Sequence, residues 1–159
     1  MFKINRRTDY AVRVMLCLAR RPPGARLATQ RIQQEMRIPR AFLQRIVADL
    51  ARLGLVNTFA GPNGGLELAQ PAAAINLRHI WEAVEGPLLI SDCLEGEAAC
   101  PLEPGCPVNQ RWRRLQALIG HELESITLAE LVEEAQRLPQ APALVSLTRL
   151  AQVSVGGAH

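Results

Sequence analysis

The 159-residue chain has no long unbroken apolar run, although nearly half of its residues (48 %) are apolar. That combination argues against a membrane-spanning helix and for an α-rich globule: one domain, or one domain with an appended element. The start, MFKINRRTDYAVRVMLCLARR, carries Arg13 inside its apolar stretch and has no small-residue cleavage site, so a cytoplasmic location is expected. The signatures of catalysis are missing too. There is no Ser/His/Asp grouping and no metal-hydrolase motif; His79 and His121 each stand alone, and Glu122–Glu124 and Glu133–Glu134 read as exposed helix faces. The chain is not expected to be an enzyme. The glycine-rich GPNGG (61–65) is not followed by GK[ST], which argues against a nucleotide phosphate site.

What is present is a charge split. The net charge of +3 conceals twelve Lys and Arg against three Asp and Glu in residues 1–60, and six against twelve in residues 61–159. A basic N-terminal third on an acidic remainder points to a polyanion-binding module joined to something else.

The apolar spacing supplies the module. Thr8 or Asp9 can cap a first helix on which Tyr10, Val14, Cys17 and Leu18 share a face, and RRPPGAR ends it. A second, short helix is expected from Thr29 as cap. A third follows in PRAFLQRIVADLARLGLV, with Pro39 in its first turn, an apolar stripe from Phe42 to Leu53, and Gly54 as the stop. Short helix, turn and longer helix have the layout of a helix-turn-helix. LVNTFA and LELAQ then flank Asn63-Gly64, a hairpin signal in which both central residues take positive φ. The fold class is therefore mainly α with a small β-hairpin wing: a winged helix-turn-helix plus a long dimerisation helix. Expected boundaries are 1–72 for the winged helix, 73–138 for a helix, cysteine loop and dimerisation helices, and 139–159 for a tail. Arg40, Gln44 and Arg45 begin the third helix, where arginine can read guanine and glutamine adenine, and Asn63 at the wing tip joins them as a DNA-contacting candidate. Arg6, Arg7, Arg31, Arg37 and Arg52 are expected to meet phosphate or water.

Downstream, INLRHIWEAVEG reads as a fourth helix capped by Asn76 and stopped by Gly86. VNQRWRRLQALIGHELESI places Val108, Trp112, Leu115, Ile119, Leu123 and Ile126 along one side of a long helix whose stripe needs cover, either from a second copy or by folding back. TLAE (127–130) opens a last helix with a capping box.

Three of the four cysteines, Cys93, Cys100 and Cys106, lie between the fourth and fifth helices at C-x6-C-x5-C spacing. Without export, stable disulfides are not expected. The loop is too broken by glycine and proline to bury its thiols by packing, and thiolates select zinc, copper or iron–sulfur clusters. Zinc is weakened by the absence of a close C-x2–4-C pair. A redox-active pair stays open, although Asp92, Glu95, Glu97 and Glu103 oppose thiol activation, and so does a loop without chemistry. Cys17, on an apolar helix face, reads as a buried thiol.

TDYAVRVMLCLAR, FLQRIVADLARLGLV, GPNGGLELAQP, INLRHIWEAVEGPL, the cysteine loop and SITLAEL together resemble the Rrf family of winged-helix iron–sulfur transcription regulators, in order, over residues 1–135. The resemblance implies a homodimer through the long helix, a double-stranded DNA operator as partner, no membrane, and an iron–sulfur cluster held by the three cysteines of each protomer. In NsrR-like members an aspartate near the start of helix one, from the other subunit, completes a [4Fe–4S] cluster, and RTDYA puts Asp9 there. In IscR-like members the fourth ligand is a histidine three residues past the last cysteine, where this chain has Asn109. The resemblance thus implies Cys93, Cys100, Cys106 and Asp9 as ligands and [4Fe–4S] over [2Fe–2S]. The chain departs from the family in three ways: one extra residue between the first two cysteines, Ala60 and Leu66 in place of the wing's arginine and tyrosine, and a tail past residue 138. The expected function is a DNA-binding regulator, a repressor, sensing redox, nitric oxide or iron status. The alternatives are a cluster-free regulator responding by thiol oxidation or through a protein partner, and a thiol or metal enzyme.

Overall fold

The computed structural model describes residues 4–95 and 105–138. Helices α1 (Arg6–Ala19), α2 (Thr29–Met36) and α3 (Arg40–Arg52) are followed by strands β1 (Val56–Phe59) and β2 (Gly65–Leu68). Then come α4 (Leu77–Glu85), α5 (Pro107–Ser125) and α6 (Leu128–Arg137), with single 3-10 turns at Ala72–Ala74 and Asp92–Leu94. This is the expected mainly helical fold with a hairpin wing. No helix among the described residues is long and apolar enough to cross a membrane.

The helix starts differ from the sequence expectation. The cap of α1 is Asn5, whose side-chain oxygen accepts from the backbone N–H groups of Arg7 and Thr8 at 2.8 and 3.1 Å. Thr8 and Asp9 lie inside the helix. Asn5 prevails because its backbone is extended while its amide reaches both free N–H groups, as capping requires. Thr29 is likewise the first helical residue of α2, not its cap; the cap position is Ala28, with no side-chain bond. Pro39 occupies the cap position of α3, one residue before the helix. Asn76 and Thr127 cap α4 and α6 as expected, each within a capping box.

The hairpin forms with Val56 opposite Leu68 and Phe59 opposite Gly65, but not through an Asn-Gly turn of two positive-φ residues. Its connection has five residues, and the left-handed conformations fall on Gly61 (φ 91°) and Gly65 (φ 148°), not on Asn63. Gly65 is constrained from a third side. Leu27 and Leu66 exchange two backbone hydrogen bonds of 2.9 Å, and a Cβ on Gly65 would lie 2.5 Å from the Leu27 carbonyl oxygen. That close approach lets the linker ahead of α2 pair with the wing.

One hydrophobic core joins α1, α2, α3, the hairpin and α4. Val14, Met15, Ile32, Leu43, Ile46, Leu50 and Ile80 are fully buried in it, and Leu128 of α6 closes it. Helix α5 does not follow this pattern. Its buried residues are Asn109 and Gly120, while Val108, Trp112, Leu115 and Leu118 are exposed. The expected stripe is exposed in its first half, at Val108, Trp112 and Leu115, joined by Leu118, which was not expected in it; Ile119, Leu123 and Ile126 are half-buried, and Ile126 follows the helix end. Gly120 permits the packing, since a Cβ there would stand 3.3 Å from an Arg78 guanidinium nitrogen and 3.8 Å from Leu88.

Candidate nucleic-acid interface and cysteine loop

Helices α2 and α3 are joined by Arg37, Ile38 and Pro39, with Arg37 in the left-handed region (φ 52°) and Ile38 buried beneath the turn. A shallow groove between the helices is lined by Gln30, Gln33, Arg40, Leu43, Gln44 and Val47. Arg40 and Gln44, one turn apart on α3, therefore face the same space, together with two glutamines of α2 that the sequence reading missed. Their signal was available: Gln30 and Gln33 are three residues apart and so share one face of α2. Arg45 is not part of this group; it lines a second hollow with Arg7, Ala41 and Phe42. Asn63 is exposed on the wing.

Charge on this side is selectively free. Among the described residues Arg6, Arg37, Arg40 and Arg45 make no ion pair. Arg7 and Arg52 both hold Asp49, and Arg31 holds Glu35. Three of the five arginines expected at phosphate are thus already engaged within the chain. The wing, which has Ala60 and Leu66 where a cation and an aromatic ring were expected, gains a cation by another route. The Arg26 guanidinium lies 3.6 Å over the Phe59 ring and 3.5 Å from Glu67.

The cysteine loop is anchored at both described ends. Cys93 and Cys106 are free and half-buried; Cys100 lies outside the described residues. Cys93 sits in the 3-10 turn, its sulfur 3.1 Å from the Ser91 hydroxyl. Its carbonyl accepts a 3.2 Å hydrogen bond from the side-chain amide of Asn109, which is 3 % exposed. Cys106 is the cap residue of α5, so Asn109 stands in the first turn above it. Both ends of the loop therefore meet at the start of one helix. Asp9 is elsewhere. It pairs with Arg13 at 2.8 Å with its side chain about half exposed, and no metal-holding group of three His, Cys, Asp or Glu residues forms among the described residues. Next to it, Tyr10 meets Phe42 of α3 edge-on at 5.7 Å.

Cys17 is a different kind of thiol. It is buried against α2 with its sulfur 3.5 Å from a Glu35 oxygen, and desolvation, reinforced by that carboxylate, pushes its pKa up to about 11. The expected buried reading holds.

A family model described as an iron-dependent transcriptional regulator, Rrf2, matches residues 4–134. The chain belongs to the Rrf2 family. Among solved structures, CymR, the global cysteine regulator of B. subtilis, is 27 % identical with a TM-score of 0.67, covering 84 % of this chain and 98 % of that one. An oxidized form of CymR from Staphylococcus aureus is 25 % identical (TM-score 0.65; 83 % and 97 % covered). IscR of T. potens shares the fold at 23 % identity (TM-score 0.69; 88 % and 94 % covered).

Rrf2 membership makes this chain a DNA-binding transcriptional regulator with a winged helix, as the charge split and element order suggested. The family and these neighbours are regulators, in keeping with the absence of a catalytic grouping from the sequence reading.

Proposed function

We propose that this Rrf2 regulator is a homodimeric repressor whose cysteine loop holds an iron–sulfur cluster and reports its state to the DNA-binding helices. The observation that carries the reading is that two of the three loop cysteines are fastened to the first turn of the same helix that exposes an apolar stripe. The donor set fits: Cys93 and Cys106 are unpaired thiols, half-accessible and held at one helix start, where the exposed backbone N–H groups favour negative charge. Cys93, Cys100 and Cys106 would hold the cluster. Asp9 of a second subunit would complete the set, since Asp9 caps nothing in its own chain and is tied only to an exposed arginine. When bound, such a cluster supplies one-electron redox chemistry and reactivity toward nitric oxide; [4Fe–4S] is the type this ligand set suits.

A second copy is the proposed cover for Val108, Trp112, Leu115 and Leu118. Helix α5 carries Arg111, Arg113 and Arg114 in its first half and Glu122 and Glu124 in its second, so two copies related by a two-fold axis near Leu118 set opposite charges against each other. DNA contact is assigned to Arg40 and Gln44 in the groove, Arg45 beside it, and Asn63 on the wing. The chain's own links from loop to DNA are short. Glu85, at the end of α4, accepts from Asn5 and Thr8 at the start of α1 (2.8 and 2.7 Å), and Tyr10 on α1 touches Phe42 on α3.

The test is anaerobic reconstitution. Wild-type protein is expected to take up iron and sulfide and gain a visible spectrum, Cys100→Ala is expected not to, and operator affinity is expected to change with loading. Protein that binds DNA tightly yet takes up no iron overturns the cluster reading. The likeness to the cysteine regulator of B. subtilis and to an oxidized relative favours a second reading, regulation by thiol oxidation without a cluster. DNA binding indifferent to iron but altered by peroxide would select it.

A further inference from the structure

Between Gly86 and the 3-10 turn the chain is irregular, and its backbone groups find partners outside regular secondary structure. Helix α5 supplies two of those partners from side chains. The Gln116 side-chain oxygen accepts from the Ile90 backbone N–H at 3.2 Å, and the Asn109 side-chain nitrogen donates to the Cys93 carbonyl at 3.2 Å. Asn109 and Gln116 are seven residues apart, two turns of one helix face, about 10 Å along the axis. Ile90 and Cys93 are three residues apart, with Cys93 already in the 3-10 turn Asp92–Leu94. Ser91 between them is extended (φ −155°, ψ 140°). The order of the two bonds, Ile90 to Gln116 and then Cys93 to Asn109, runs the segment antiparallel to α5, toward the end where Cys106 is the cap.

We infer that Asn109 and Gln116 form a two-point amide clamp that sets the position of Cys93 relative to Cys106. They are positioning residues, not ligands. Asn109 is itself oriented: its oxygen accepts from the Arg113 Nε at 2.8 Å, which turns the amide nitrogen toward Cys93. The burial of Asn109 follows from this role, because a buried amide is tolerated only when both its donor and its acceptor are used. A hydrophobic residue there would suit packing but leave the Cys93 carbonyl without its partner. The inference rests on the reading of the cysteine loop as the sensing element, but its geometry is testable without any cluster.

The experiment is peptide-resolved alkylation of the apo protein by iodoacetamide, with Cys17 as a folding reference. Asn109→Ala is expected to speed alkylation of Cys93 about fivefold, the effect of losing one ordinary hydrogen bond, with Gln116→Ala smaller and Cys17 unchanged. Asn109→Asp is the discriminating variant. It keeps the size and the bond from Arg113 but loses the donor to Cys93, so it is expected to behave like Asn109→Ala. If Asn109→Asp labels like wild type, Asn109 serves only the helix and the clamp is overturned; unchanged labelling in Asn109→Ala overturns it equally. On reconstituted protein, the same variants are expected to lose iron to a chelator at least fivefold faster, in the same order. If wild type takes up no iron, the cluster reading falls while the alkylation result still decides the clamp.

Discussion

The two halves of this molecule use apolar residues in opposite senses. From α1 through α4, amphipathic helices turn their apolar faces inward, and Ile32, Ile46 and Leu50 are wholly buried while Arg40, Gln44 and Arg45 are exposed. In α5 the buried positions are an asparagine and a glycine, and the exposed ones include a tryptophan and three aliphatic residues. The first half buries most of its apolar side chains within one chain, although Phe42 and Leu53 stay 43 % and 49 % exposed. The second is built as if half of its core lay in another molecule, because exposed contiguous apolar surface is the mark of an interaction site.

The sharpest test of that contrast is to remove apolar groups from each half. Ile46→Ala deletes fully buried methyl groups and is expected to cost about 2–5 kcal/mol of stability, read by chemical denaturation of protein kept at one concentration. Leu118→Ala removes a side chain that is 58 % exposed, so within one chain it is expected to cost little. The same residue weighs more in association. Leu118→Glu is expected to convert dimer to monomer in sedimentation at micromolar concentration, with the helical circular dichroism retained. A monomeric wild type would break the comparison, and so would a Leu118→Glu variant that stays dimeric.

Much of the first half was legible because its signals are local. Period 3.6 in α1 and α3, the change of period around the wing, the cap at Asn76 and the capping box at Thr127 each need only a short window of sequence, whereas the His79 side chain that completes a box at Asn76 was not read. Errors arose where two local signals competed. Thr8, Asp9 and Asn5 are all capping residue types, and only the backbone at Asn5 decides among them. Asn63-Gly64 reads as a two-residue turn, but the glycines are demanded by close backbone approach: a Cβ on Gly64 would collide with the Phe59 carbonyl oxygen, and one on Gly65 would meet Leu27 from outside the hairpin. The candidate site was less legible because its chemistry is long-range. The Arg26 cation on Phe59, the pairing of Arg7 with Asp49, and the grip of Asn109 on Cys93 join residues 16 to 42 positions apart, with no periodicity to announce them. Asn109 drew notice only as a position lacking histidine; its burial in the first turn of α5 is what identifies its role.

The arginines sharpen the comparison on the DNA side. Arg40 is unpaired and lies in the groove with Gln44, whereas Arg52 is already bound to Asp49. Arg40→Ala is expected to cost about 1–3 kcal/mol of operator affinity and to relax preference at one base pair, because a bidentate base contact is lost. Arg52→Ala is expected to cost well under 1 kcal/mol, since its guanidinium is already held by Asp49, which it shares with Arg7, and exposed pairs contribute little. Binding isotherms at several salt concentrations separate the two: loss of a phosphate contact lowers the salt slope uniformly across sequences, while loss of a base contact changes the rank order of operators. Equal effects from both variants would remove Arg40 from the reading set.

The smallest expected effect concerns the thiols, which divide the same way. Cys17, in the apolar core of the first half, has a pKa raised from 9.0 to about 11, chiefly by desolvation and then by Glu35. Below pH 9 the thiol is protonated in both folded and unfolded chains, so its contribution to stability is fully present. As pH rises from 9 toward 11 the unfolded chain releases the proton first, and the contribution is lost through that window. Glu35 acts with the opposite sign. Hydrogen bonding from Arg31, ahead of its contacts with Cys17 and Arg21, lowers its pKa, so its contribution is present at neutral pH and lost as acid protonates it. The contact between α1 and α2 is therefore weakened from both ends of the pH scale. Cys17→Ala keeps a small apolar group in place and is expected to flatten the fall in melting temperature between pH 9 and 11 relative to wild type, with Cys93, Cys100 and Cys106 common to both proteins. Parallel melting curves would show that Cys17 does not carry the alkaline loss. They would also dissolve the distinction between a cysteine that the core keeps protonated and the half-buried Cys93 and Cys106.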